Sequence, residues 1–375
     1  MRPLRVVLEH RRAIWSPQPD PELAAPVDRP EQLRHTLTTQ THSAQPRIFL
    51  SGVALGPEYL LPGKLLRVST PFGLLLGFVA DRVLGDPRRF HPVAGFGQTA
   101  SRLESRLYAD SRAAGTAYTT ALVGSTVLVG VAAERLTRGR PVVHTLVTAA
   151  ATWTVLGARS LEREAETMAG FLETQDIPAA RDRLSHLCAR DATYLEADEL
   201  ARATVESIAE NTSDACVAPL LWGGVLGVPG LLAYRAINTL DAMVGYRSPK
   251  YANFGWASAR LDDLVNLLPA RACAVLTGVV AGRPAEARRV WKRDAPQHPS
   301  PNAGPVEAAF AGALGLSLGG TNNYGSYTED RGTLGDGPTP TVADVRRTAV
   351  LARRVGVAAA GAAAILAVAR GRLWG

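Results

Sequence analysis

Long stretches without an ionisable side chain restrict the folds open to this chain more than any other feature. Residues 115–133 carry no charge, 141–158 carry only His144, and 215–234 carry none. A helix crosses the hydrocarbon of a bilayer in roughly 20 apolar residues, so each run reads as a span. Residues 264–282, interrupted by Arg271, and 355–369, flanked by Arg353, Arg354 and Arg370, read the same way. The shorter run 68–80 enters Asp81 and Arg82, and could cross only with those charges against protein or at the interface. The expected fold class is all-α: a polytopic integral membrane helical protein with cytoplasmic helical loops, multi-pass in the cell (plasma) membrane. The competing reading of the same runs is a large soluble protein with buried core helices.

Charge fits the membrane reading better than a polyanion-binding one. The net charge is +7, yet the basic residues are scattered over helix ends and loops and form no stripe with interleaved aromatics. Nucleic acid is therefore not an expected partner. The loop 85–112 holds Arg88, Arg89, Arg102, Arg106 and Arg112 and is assigned to the cytoplasm. Cys188, Cys216 and Cys273 lie far apart without C-x-x-C spacing, which points to neither a zinc site nor a disulfide framework. Residues 1–67 differ from the rest: Arg2, Arg5, Arg11 and Arg12 precede a polar stretch with Pro17, Pro19, Pro21, Pro26 and Pro30. Nothing there resembles a signal peptide, so the stretch reads as a disordered extension, with translation expected to begin near Val68. Residues 68–375 then form the membrane-embedded domain.

Familiar catalytic signatures are missing. Gly63-Lys64 lacks the hydroxyl and the strand of a P-loop, and there is no G-x-G-x-x-G after a strand, no H-E-x-x-H and no G-x-S-x-G. Polar residues instead gather in blocks beside the apolar runs. In residues 204–214 (TVESIAENTSD), Glu206, Glu210 and Asp214 follow one another at four-residue steps, so a helix puts all three on one face. Such a row can hold Mg²⁺ through oxygen ligands and so present nucleotide phosphates. It can equally be a solvated acidic helix with Asn211 and Ser213 as terminal caps.

A second block sets Arg235, Asn238 and Asp241 at three-residue steps, followed by Arg247 and Lys250, then Arg260, Asp262, Asp263 and Asn266. Arginine offers a bidentate fork and lysine a point charge for phosphate or propionate. The plainer reading is an ion-paired helical hairpin. If residues 215–234 crossed once, the two blocks would lie on opposite sides of the membrane. Pro219, Gly223, Gly224, Gly227, Pro229 and Gly230 permit a broken or re-entrant path instead. A third block presents His298, Ser300 and Asn302 from a loop stiffened by Pro299 and Pro301. Beyond it, Gly319-Gly320 would let the backbone approach a bound anion. A fourth block holds Asp81, Asp86 and His91.

In this order the blocks resemble the adenosylcobinamide-phosphate synthases, the CobD/CbiB family of cobalamin biosynthesis. The carriers begin with Asp81-x-x-x-Gly-Asp-Pro87 and His91-Pro-Val93, then Glu206-Ser-x-x-Glu-Asn-x-Ser-Asp214 and Tyr234-Arg-x-x-Asn-Thr-x-Asp-x-Met-x-Gly-Tyr246. They continue with Phe254-Gly-Trp-x-x-Ala-Arg-x-Asp-Asp263, Asn266-x-x-Pro-x-Arg271 and His298-Pro-Ser-Pro-Asn-Ala-Gly304. The resemblance covers residues 72–337 and the final helix. After Asp214 the family has glycine where this chain has Ala215, and residues 1–67 have no counterpart.

The resemblance implies an integral membrane enzyme, open to oligomerisation, that joins adenosylcobyric acid to (R)-1-amino-2-propanol or its O-phosphate with ATP and Mg²⁺. On that footing Glu206, Glu210 and Asp214 hold the metal and the nucleotide. Asn211, Arg235, Asn238, Arg247, Lys250, Arg260, His298, Ser300 and Asn302 bind the substrates, and Asp241 or Asp263 takes the proton of the amine. The alternative is a non-catalytic membrane sensor or scaffold of the same architecture. A permease is poorly supported, since few charges fall inside the runs.

Overall fold

The computed structural model describes residues 62–86, 91–188, 190–246, 248–323 and 328–373. The expectations for residues 1–61 and for Arg247 lie outside the described residues. Helix α1 (Pro62–Leu84) starts within the stretch read as a tail. It is followed by α2 (Pro92–Leu107), α3 (Arg112–Thr137) and α4 (Pro141–Val155). Helices α1 and α4 run parallel, with Thr145 Oγ1 donating to the Ser69 carbonyl at 3.3 Å near their starts and the Trp153 indole donating to the Gly85 carbonyl at 2.7 Å near their ends. Their backbones approach closely because a Cβ on Gly73 or Gly77 would collide with Thr148 or Thr152.

Helices α5 (Ala158–Glu173), α6 (Ile177–Leu184) and α7 (Ala197–Thr212) are amphipathic, and bury Leu161, Met168, Leu172, Leu184, Leu200 and Ile208 in a common core. Helix α7 passes through a π-helical turn (Ser213–Val217) into α8 (Ala218–Leu226). Pro219 explains part of that irregularity. Having no N–H, it leaves the Ala215 carbonyl without its usual helical donor. The Gly157 N–H takes that place at 3.0 Å, tying the α4–α5 junction to the turn.

At Gly227 the backbone enters positive φ (+70°) and the chain reverses into α9 (Val228–Leu240), which ends in a second π-helical turn (Asp241–Gly245). Glu134 secures the reversal, since its Oε1 accepts the Val228 N–H at 3.1 Å near the far end of α3. The returning helix brings Asn238 back to Asp214, with Nδ2 donating to Oδ2 at 3.3 Å. Residues 215–234 are therefore the broken path and not a single crossing. Both polar blocks end up together.

The remainder comprises α10 (Trp256–Val280), α11 (Pro284–Asp294), α12 (Ala303–Leu314), a β-hairpin and α13 (Val342–Leu373). Helix α13 runs the length of the molecule, from Arg346, paired with Glu173 at 2.7 Å, to Arg370, which donates to Thr70 at 3.2 Å. Among the described residues four helical stretches are long and apolar enough to cross a membrane: 112–137, 141–173 (α4 continuing into α5), 256–280 and 342–372. Their exposed faces carry residues such as Leu128, Leu146, Leu268 and Ile365. The expected polytopic helical class holds, with one departure. The Gly319-Gly320 pair lies in a small antiparallel sheet of strands β1 (Leu318–Asn323) and β2 (Thr328–Leu334), with a bulge between Gly319 and Thr321.

Candidate active site

One face of α7 organises the polar interior. Residues 202, 206, 210 and 214 lie four apart, so Arg202, Glu206, Glu210 and Asp214 form a continuous row leading into the first π-helical turn. At its far end Glu206 is buried and ion-paired with Arg190 at 2.5 Å. The carboxylate also accepts the Gly319 N–H at 2.8 Å, while Arg202 donates to the Gly319 carbonyl. Gly319 and Gly320 adopt φ of +86° and +83°, which only glycine takes without strain. The anion approached by the glycine backbone is thus a carboxylate of the protein itself.

Glu307 of α12 faces this end of the row. It is fully buried, 3.3 Å from Arg331 and 3.7 Å from the His298 Nε2. Burial, reinforced by the nearby Glu206 and Glu210 carboxylates, raises its pKa well above the usual range, against the opposing pull of Arg331. His298 Nδ1 accepts the Ser300 N–H at 3.0 Å, and burial followed by the Arg331 charge lowers the imidazole to about 4. A neutral imidazole thus lies beside a carboxyl inclined to hold its proton.

At the other end of the row, Asp214 meets Asn238, and α9 displays Arg235, Asn238 and Asp241 along the facing surface. Asp214 thus lies in one π-helical turn and meets Asn238, which precedes the second π-helical turn at Asp241 by three residues. Such turns cost regular helical bonding and recur at functional sites. Tyr234 donates to Asn266 Oδ1 at 2.9 Å, and Asn266 donates to Asp262 Oδ2 at 2.9 Å, adding a third carboxylate. Buried Arg235 acts electrostatically on Asp86 and His91. Burial lifts Asp86 to about 6 although Ser160 donates to it, and lowers His91 to about 4 with Arg235 adding to the effect. Arg235 also borders a cavity of about 160 Å³ lined by Pro92, Phe96, Leu232 and Thr239.

Other residues singled out by sequence go elsewhere. Asn211 donates to the Ser207 carbonyl at 2.8 Å, within its own helix. Lys250 is ion-paired with Glu104 at 2.7 Å and also donates to the Tyr251 hydroxyl at 2.8 Å. Arg260 and Asp263 form an exposed pair at 3.6 Å. The inward carboxylate of that stretch is Asp262, because adjacent helical residues point about 100° apart and Asp262, not Asp263, shares the face of Asn266. Ser300 caps the entry to α12 by accepting the Ala303 N–H at 3.1 Å. Asn302 bridges Arg271 (3.0 Å) and the Asp263 carbonyl (2.8 Å), which keeps the Arg271 charge on protein. The row Glu206, Glu210 and Asp214 does not converge on one point: Glu206 turns to Arg190, and among the described residues no three His, Cys, Asp or Glu side chains are grouped to hold a metal ion.

Arg190, Arg331 and Glu307 escaped the sequence reading. The first two look like ordinary loop and strand charges. Glu307, however, is the lone ionisable residue in the apolar stretch 303–316, a signal that a buried partner awaits it.

Comparison with known proteins agrees with this arrangement of motifs. The CobD/Cbib protein family model matches residues 74–352. "Cobalamin biosynthesis protein CobD" of Mycobacterium tuberculosis is 52% identical over 303 residues, covering 80% of this chain and 96% of that protein. The protein of the same name from Chromobacterium violaceum is 43% identical over 293 residues, covering 76% of this chain and 91% of the relative. That of Rhodobacter capsulatus is 41% identical over 287 residues, with 73% and 90% covered. No solved structure matches. With the match spanning the chain from α1 to the start of α13 and every polar block from Asp81 to Asn302, this chain belongs to the CobD/CbiB family.

Proposed function

We propose that this protein acts in cobalamin biosynthesis as an adenosylcobinamide-phosphate synthase, joining (R)-1-amino-2-propanol or its O-phosphate to the propionate of adenosylcobyric acid with ATP. The names of its relatives supply the pathway. The observation that carries the chemistry is the meeting of two motif helices at Asp214 and Asn238, which gathers carboxylates, amides and a buried arginine at one end of an apolar bundle. Charged groups held in such surroundings are costly unless they are used.

Amide formation from a carboxylate and an amine requires a leaving group on the carboxylate. A propionate oxygen attacks the terminal phosphorus of ATP and ADP departs. The amine nitrogen then attacks the acyl carbon, inorganic phosphate leaves, and the nitrogen gives up its proton. Magnesium, when bound, neutralises charge developing on the phosphates. It takes one or two carboxylates together with phosphates and water, not a closed protein cage. Asp214, a hard oxygen donor beside Asn238, would fit that open kind of site, with Asp241 three residues beyond Asn238 as a second donor. Glu206, held by Arg190, serves as a support for α7.

Arg235 orients an anionic group, propionate or phosphate, by charge-assisted hydrogen bonding. Asp241 or Asp262 accepts the proton of the amine. The direct test incubates membranes containing the protein with adenosylcobyric acid, ATP, Mg²⁺ and either aminopropanol or its phosphate, and weighs the corrinoid product. A mass gain matching one amide is expected, and the preferred amine identifies the natural substrate. Unchanged corrinoid with both amines, from protein that is intact in the membrane, rejects the proposal.

A further inference from the structure

Three arginines converge at one level of the molecule, outside the polar row. Arg82 ends α1, Arg159 lies in the first turn of α5, and Arg353 sits on α13 just before its apolar run. All three reach one carboxylate, Glu162, at 2.6, 3.0 and 3.3 Å respectively. The Glu162 side chain is 6% exposed, whereas Arg159 and Arg353 are 29% and 48% exposed. Three cations face Glu162, and a second carboxylate, Asp81, acts on Arg82 and Arg159, which still leaves an excess of at least one positive charge. Were the cluster only an internal brace, one arginine would suffice.

Arg82, Glu162 and Arg353 border a crevice whose apolar lining includes Phe78, Leu161, Ile208 and Cys216. The flanking faces of α1 and α13 present Val79, Val83 and Val357 outward, each more than half exposed. Cations therefore sit beside an outward apolar surface. That juxtaposition suits a molecule with an anionic head and hydrocarbon chains.

We propose that Arg82, Arg159 and Arg353 form a binding site for an anionic phospholipid. Its phosphate oxygens take guanidinium N–H groups that Glu162 leaves over, with the fork geometry that arginine offers phosphate. Its acyl chains lie along the exposed faces of α1 and α13. The site adjoins the polar interior, because the Arg159 N–H donates to Asp81 Oδ2 at 3.1 Å.

The test titrates purified full-length protein in neutral detergent with dioleoyl phosphatidylglycerol, with dioleoyl phosphatidylcholine and with inorganic phosphate, counting bound lipid by native mass spectrometry. Phosphatidylglycerol is expected to bind at least about fivefold more tightly than phosphatidylcholine. Arg353→Ala should weaken that binding by about fivefold. Glu162→Gln, which removes the competing carboxylate, should tighten it, and millimolar phosphate should not displace the lipid. Equal binding of the two lipids, an unchanged affinity in Arg353→Ala, or weaker binding in Glu162→Gln would overturn the proposal. Displacement by inorganic phosphate would overturn it in favour of a small-anion site.

Discussion

Individual side chains carry the sharpest expectations. Asp214→Asn keeps the size of the side chain but removes a charge that magnesium and phosphate chemistry would need. Turnover should fall at least about 100-fold with the protein still folded in the membrane, and near-normal activity would remove Asp214 from the site. Titration gives an independent check. His91 and His298 are lowered to about 4 by burial, so the unfolded chain, with histidine near 6.5, binds more protons between those values. Their contribution to stability is whole above pH 6.5 and is lost as pH falls through 4. Asp86, raised to about 6, acts in the opposite sense: its contribution is whole below about 3.8 and is lost as pH rises through 6. His91 also caps α2 by accepting the Val93 N–H at 3.2 Å, a task asparagine performs well. Thermal unfolding of His91→Asn should therefore match the parent at pH 7.5 and lose less stability on acidification to pH 5. Equal losses would contradict a neutral buried His91. Why Glu206 and Asp214 part company was not legible from spacing, since a shared helical face fixes direction but not partners. Arg190 and the β-hairpin decide that, and both come from elsewhere in the chain.

Among the elements, the hairpin of α8 and α9 determines the rest. The glycines and prolines of residues 215–234 signalled a break, but not that the chain would reverse fully, because that depends on Glu134 receiving the Val228 N–H. Gly227 is the hinge of the reversal: its φ of +70° disfavours any side chain, and a Cβ there would run into Glu134 and Arg370. Gly227→Ala should destabilise the protein by roughly 1–3 kcal/mol, read as a lowered Tm in detergent; no change would mean the turn is not under this constraint. The reversal also has a topological consequence. In a background lacking native cysteines, Tyr194→Cys and Pro249→Cys should react with a membrane-impermeant maleimide from the same side, and Arg138→Cys from the other. Labelling of the first two from opposite sides would mean that residues 215–234 cross once.

At the scale of the whole molecule, an apolar bundle supports a polar row that runs along α7 from Glu206, near Glu307 of α12, to the π-helical turn at Asp214. Helical class and most spans were readable from sequence because lipid demands long uncharged runs. The row was only half readable, because its glutamates and aspartates come from a motif whereas Arg190, Arg331 and Glu307 arrive by tertiary packing. The central claim is that Asp214 and Asp241, carried by the two helices that meet at Asn238, act together on a nucleotide and a corrinoid. The measurement that tests it most directly is ADP release by purified protein with and without adenosylcobyric acid. ADP release should depend on the corrinoid and should fall to the same low level in Asp214→Asn, Asp241→Asn and the double variant. ADP formation indifferent to corrinoid, or losses in the two single variants that simply multiply in the double, would contradict a shared site.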